Sequence, residues 1–241
     1  MKTLRVGGLL TAVTLSVASL QAQTADEIVS KHIEAIGGKT AIAGVKSVYM
    51  ESSMEVMGNT APSTTYIVTG KGYRNDVDFN GTKIIQCVND KGGWGVNPMA
   101  GQTSPTAMPT DQVKAGQAQL QVGGPLFDYA TKGYKVSLIG KDTADGTIQY
   151  KIKLSGIEGA DYTYYIDGKT YYITKALNKT SIGGNEQEVE IDFSNYKKLD
   201  NGYVMAFGQA IVLPQMTINI THNKIELNKP VDLTLFDMPK S

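Results

Sequence analysis

The sequence predicts a mainly β protein of the α+β class, with one large curved antiparallel sheet covered by two helical pieces. Three observations predict it. From Val48 onward, apolar and polar residues alternate with period two, as in a sheet covered on one face and wet on the other. Only residues 24–36 and 110–120 carry a helical pattern. No strand–helix–strand alternation is visible, which leaves antiparallel pairing.

Residues 1–22 read as an export signal. Lys2 and Arg5 supply the positive start, and 6–20 form an uncharged apolar run too short to span a bilayer. Cleavage near Ala22 is expected to leave a single exported, soluble domain over 23–241. It would take Lys2 and Arg5 and no acidic residue with it.

The first helix opens with Thr24 and Glu27 in capping-box spacing. Ala25, Ile28, Val29, His32, Ile33 and Ile36 then recur at three- and four-residue steps, opposite Asp26, Glu27, Ser30, Lys31 and Glu34. Gly37-Gly38 ends it, and a short second turn leads into a strand with Val48, Met50, Ser52, Met54 and Val56 on one face. Gly58-Asn59, Gly70, Gly72, Asn80-Gly81 and Gly92-Gly93 punctuate a meander, and Asn80-Gly81 suits a tight hairpin because both central positions need positive φ. Residues 97–109 read as a long loop. Thr110 is expected to cap a helix that ends before Gly123-Gly124-Pro125. Alternation then returns at Tyr134–Leu138, Ile148–Leu154, Tyr162–Ile166, Val189–Phe193, Tyr203–Ile211 and Met216–Ile220. With no repeat and no composition shift, these strands belong to one domain.

Charge and composition exclude several function classes. Basic and acidic residues balance at 23 each, so nothing marks a nucleic-acid or anionic membrane surface. Cys87 is the one cysteine and reads as a buried small apolar residue. His32 and His222 are the two histidines, and whether they meet is open. No metal-binding His-Glu-x-x-His, cysteine pair or Gly-x-Ser-x-Gly elbow is present. Gly183-Gly184 lacks a following helix and makes no phosphate cradle. Carboxylates such as Asp142, Asp145, Asp161 and Asp167 are scattered; an acid–base couple across strands is open, but nothing in the spacing indicates one. The protein is therefore expected to be non-enzymatic, with neither cofactor nor metal. Tyr162, Tyr164, Tyr165, Tyr171 and Tyr172 serve either as strand residues or as an aromatic platform for a ligand. Met50, Met54, Met205 and Met216 serve either as core or as an adaptable apolar lining.

Three stretches carry a family resemblance: Lys71-Gly72-Tyr73-Arg74-Asn75, Asn80-Gly81-Thr82-Lys83 and Gly93-Trp94-Gly95-Val96-Asn97-Pro98. Together with Glu34-Ala35-Ile36-Gly37-Gly38 and the run from Pro230 to Pro239, they resemble LolA-like periplasmic outer-membrane lipoprotein-sorting proteins of the Bacteroidetes type. The resemblance implies an incomplete β-barrel with helices as a lid over an apolar cavity. It implies a periplasmic carrier that shields lipoprotein acyl chains or another lipid on the way to the outer membrane. Its partners would be an inner-membrane release complex and an outer-membrane acceptor, and it would act as a monomer. The expected cavity lining is Ile33, Ile36, Val48, Met50, Met54, Trp94, Tyr150, Ile152, Met205, Phe207, Met216 and Ile218. Arg74 is either the strand arginine that clasps the lid or a solvated strand-end cation. The alternative on the same fold is an envelope sensor or regulatory module that binds a protein partner through residues 97–109.

Overall fold

Thr24 accepts a hydrogen bond from the Glu27 amide while the Glu27 carboxylate accepts from the Thr24 amide, so the expected capping box starts α1 (Ala25–Ala35). The computed structural model describes residues 23–144, 146–156, 161–182 and 185–240. The expected signal segment 1–22 and the glycine pair at 183–184 lie outside these residues. Ile28, Val29, His32 and Ile33 form the buried stripe of α1. Gly37 adopts φ 115°, and a Cβ there would lie 2.5 Å from the Gly202 carbonyl, so this turn into α2 (Gly38–Ala43) admits only glycine.

The strands are β1 (Ser47–Val56), β2 (Asn59–Val68), β3 (Gly72–Phe79), β4 (Thr82–Asn89), β5 (Gly93–Asn97) and β6 (Gln102–Ala107). After α3 (Thr110–Gly116) come β7 (Lys135–Ala144), β8 (Thr147–Ser155), β9 (Tyr162–Asp167), β10 (Ile173–Ile182), β11 (Asn185–Lys198), β12 (Val204–Leu213) and β13 (Met216–Leu227). They form one antiparallel sheet in the order β6-β5-β4-β3-β2-β1-β13-β12-β11-β10-β9-β8-β7. Two meanders are thus sewn together by the first and last strands. Because β6 and β7 sit at opposite edges, residues 108–134 must cross the sheet between them. The twist of so many strands curves the sheet, yet its edges stay apart and no barrel closes.

The crossing segment and α1 pack on one face, called inner here. Their core joins Ile28, Val29, Ile33 and Leu126 to Val48, Met50, Ile152, Leu154, Tyr164, Ile166 and Val204. The Gly116 position, at the end of α3, lies against Val88 with no room for a side chain. On the outer face, the C-terminal turn Leu233–Phe236 seats Phe236 against Cys87 and Trp94.

Three elements differ from the sequence reading. Thr110 is expected to cap a helix, but Pro109 holds the N-cap position of α3 with no side-chain hydrogen bond, and the helix gives way to a tighter 3-10 turn over Gln117–Leu120. Residues 102–107, expected within a loop, form the edge strand β6. Its side chains are almost all exposed, so no alternation could reveal it, and Pro105 is tolerated at an edge. Strand β10 has no clean period because Asn178 occupies the same inner row as Ala176.

Candidate functional site

Helical cover reaches only one end of the inner face. There, between α1, the crossing residues 121–124 and strands β1, β2 and β10–β12, lies an open cavity of ≈ 270 Å³. Ile36, Val48, Ile67, Ile173, Phe193, Tyr196 and Met205 supply its apolar wall, and His32, Gln121, Tyr203 and Gln209 its polar groups. Burial pushes His32 down to about 4 and Tyr203 up to about 12, so both are neutral near pH 7. His32 Nδ1 lies 2.8 Å from the Tyr171 carbonyl, which fixes the ring against the loop before β10.

From this cavity an apolar strip continues along the sheet beyond the helices. Cross-strand register puts Val56 opposite Ile218 and Ile218 opposite Ile211, with Ile211 opposite Ile191. One row closer to the helices, Met54 stands between Ile220 and Ala61. Directly opposed residues project to the same face, so these side chains form one apolar surface, which a polar row at Ser52 and Ser63 separates from Val48 and Met50. No residue of that surface belongs to the packed clusters under the helices or the C-terminal turn. At ~3.4 Å per residue the strip from Val48 to Val56 runs about 27 Å.

A second cavity, ≈ 330 Å³, lies beside the C-terminal turn and is bounded by Lys71, Asn89, Asp90, Lys91 and Asp237. Leu233 and Phe236 also line it, but Lys71, Asp90, Lys91 and Asp237 ring it with charge, whereas the smaller cavity has no Lys, Arg, Asp or Glu in its lining.

The residues expected to line a cavity separate into four groups. Ile36, Val48 and Met205 border the ≈ 270 Å³ cavity. Ile33, Met50 and Ile152 are packed into the core, with Tyr150 at its margin. Met54 and Ile218 lie on the uncovered strip, and Met216 is exposed at the neighbouring hairpin turn. Trp94 and Phe207 lie away from it. Trp94 pairs with Cys87 on the outer face, where its Nε1 donates to the Phe236 carbonyl at 3.1 Å. Phe207 sits 4.5 Å from the Lys197 ammonium. Both Gln209 and Ala206 line the cavity, so alternation slips between them, where the facing strand carries Asn195 at φ 53°.

Arg74 also projects outward. Its guanidinium grips Asp76 through Nε and Nη2 at 2.7 and 2.9 Å, donates from Nη1 to the Leu235 carbonyl at 3.0 Å, and lies over the Trp94 ring. It therefore ties down the C-terminal turn and makes no contact with the inner-face helices. Phe193 and Ile67 were legible as apolar strand positions, whereas Tyr196 follows the Asn195 irregularity and no periodicity could assign its face.

Among the described residues, no cluster of His, Cys, Asp and Glu could hold a metal ion. No protein-family model matches the chain, and comparison with curated proteins gives no match. Solved structures do match. A LolA superfamily protein from Nitrosomonas europaea superimposes with a TM-score of 0.58 at 13% identity, covering 90% of this chain and 98% of that one. A DUF1329 family protein from Desulfovibrio piger gives 0.58 at 13%, covering 88% and 97%. A domain named for outer membrane lipoprotein sorting, from Vibrio parahaemolyticus, gives 0.57 at 14%, again covering 88% and 97%. The long open sheet with helices on one face is accordingly the LolA-like fold.

Proposed function

We propose that the chain is a non-enzymatic periplasmic carrier that holds the acyl chain of a lipid or lipoprotein along the inner face of its sheet. The observation that carries this reading is the apolar strip that leaves the ≈ 270 Å³ cavity and runs on uncovered past Met54 and Val56. That cavity lies at the small end of ligand pockets, which span ~300–1,000 Å³, so it takes only part of a long chain. The strip supplies the rest, because one acyl chain spans roughly half the ~30 Å hydrocarbon core of a bilayer. Each methylene withdrawn from water contributes about 0.8 kcal/mol, on the order of 10 kcal/mol for a chain of ordinary length. A surface open at one end holds such a chain and still releases it lengthwise to a membrane acceptor.

Displacement of a fluorescent fatty-acid probe tests the proposal, with native mass spectrometry of protein taken from its own envelope. Bound lipid and saturable displacement are expected. Protein that carries no lipid and leaves the probe free would end the carrier reading.

A further inference from the structure

One polar row interrupts the apolar strip. Ser52 stands directly opposite Ser63 on β2 and His222 on β13, so the three side chains lie side by side on the inner face. All are buried, with 4%, 6% and 8% of their surface exposed. Ser52 Oγ lies 2.7 Å from His222 Nδ1. Among the described residues, the Ser63 hydroxyl and His222 Nε2 have no hydrogen-bond partner in the protein, yet neither is sealed away from solvent. A ligand that covers this row shuts the solvent out, and polar groups placed among Met50, Met54 and Ile220 then cost free energy unless something on the ligand pairs with them.

The rest of this face decides what that something is. By register, the inner positions of β11, β12, β13 and β1–β4 between Val189 and Phe193, Gln209 and Leu213, Ile218 and Leu227, Val48 and Val56, Asn59 and Ile67, Tyr73 and Phe79, and Thr82 and Val88 contain no Lys, Arg, Asp or Glu. The charges of these strands, such as Glu51, Glu55, Arg74, Asp76 and Lys224, alternate to the outer face. An ionised carboxylate or phosphate seated here would be desolvated with no countercharge. A neutral carbonyl carries no such penalty and accepts hydrogen bonds from hydroxyl and imidazole donors. Burial lowers the pKa of His222 and keeps the ring neutral, in agreement with this preference.

We propose that Ser63, Ser52 and His222 form a hydrogen-bonding site for the neutral ester or amide carbonyl of an acyl ligand. The inference rests on the carrier reading and deepens it. The tail would run toward Val48, about 14 Å away at ~3.4 Å per residue, and the remainder of the ligand would leave past Met54 and Val56. The site therefore selects acyl esters and amides over free fatty acids.

Methyl palmitate, ionised palmitate and hexadecane, each delivered from cyclodextrin and read by probe displacement, separate the possibilities. Wild-type protein should bind the ester about three- to tenfold more tightly than the alkane, the ratio expected of a hydrogen bond or two, and more tightly than the carboxylate. His222→Phe and Ser63→Ala should each shrink that ratio and leave hexadecane binding unchanged. Ser63→Ala removes a hydroxyl with no protein partner, so it guards against misfolding of the histidine variant. An ester-to-alkane ratio near one, a ratio unmoved in both variants, or palmitate binding as tightly as the ester overturns the site and leaves the carrier intact. Failure of all three ligands, hexadecane included, overturns the carrier and the site together.

Discussion

Single side chains here act through what they are denied as much as through what they touch. His32 sits on α1 beneath the crossing segment, and burial holds its pKa at about 4 against 6.5 for a free imidazole. The unfolded chain thus takes up a proton between pH 6.5 and 4 that the folded one refuses. The stability contribution is full above pH 6.5, falls as the pH drops toward 4 and levels off below it, a change of roughly 3 kcal/mol. Urea midpoints across that window should fall more steeply for wild type than for His32→Gln, which cannot titrate. Arg74 makes the opposite kind of case, a charge fully engaged. Arg74→Ala should cost about 2 kcal/mol, the worth of its charge-assisted hydrogen bonds. It should also speed amide exchange at Leu235 and Asp237 and leave acyl-probe binding as it was. Loss of probe binding in that variant would return Arg74 to a role in the lid. Its sequence context pointed to a strand, correctly, but parity along β3 turns it outward, and only the register with Cys87 and Trp94 shows what waits there.

At the scale of elements, the C-terminal turn is the piece whose role local pattern did not disclose. Asp232 caps it by accepting from the Thr234 amide at 2.9 Å. The Phe236 carbonyl then accepts from Trp94 Nε1, Asn89 Nδ2 and Cys87 Sγ. Gly72 is the seat for the ring, since a Cβ there would lie 2.4 Å from Phe236. Gly72→Ala should therefore displace the turn and lower stability by about 1–3 kcal/mol, the usual cost of overpacking, measurable as a drop in Tm together with readier quenching of the buried Trp94 by added acrylamide. Helix α1 was easier to read. Capping residues and a three-to-four-residue stripe are local, and α1 follows them from Thr24 to its end at Gly37. Strand β6 failed for the converse reason, since an edge with both faces wet has no alternation to show.

For the whole molecule, the decisive feature is that one face is only half covered. Ile152 and Ile220 are both inner-face isoleucines, but Ile152 is fully buried in the packed core and Ile220 lies on the open strip. Ile152→Asp should unfold the protein or come close, at several kcal/mol for an unpaired buried charge. Ile220→Asp should leave the fold standing, by circular dichroism and Tm, while cutting acyl-probe affinity at least tenfold, because a carboxylate would sit beside Met54 where the ligand passes out along the strip. Equal damage to stability from both would mean that the strip is core.

Alternation, capping and the absence of charge at every second position were set by the chain's own order of residues, because each depends on where neighbouring side chains point and on nothing distant. What those faces meet was decided only in three dimensions. The pairing of β1 with β13 brings Ser52 to His222 across 170 residues, and the crossing from β6 to β7 determines which end of the sheet is roofed. Such contacts come from a register summed over the entire sheet, and period two by itself looks the same in every register that keeps apolar side chains on one side.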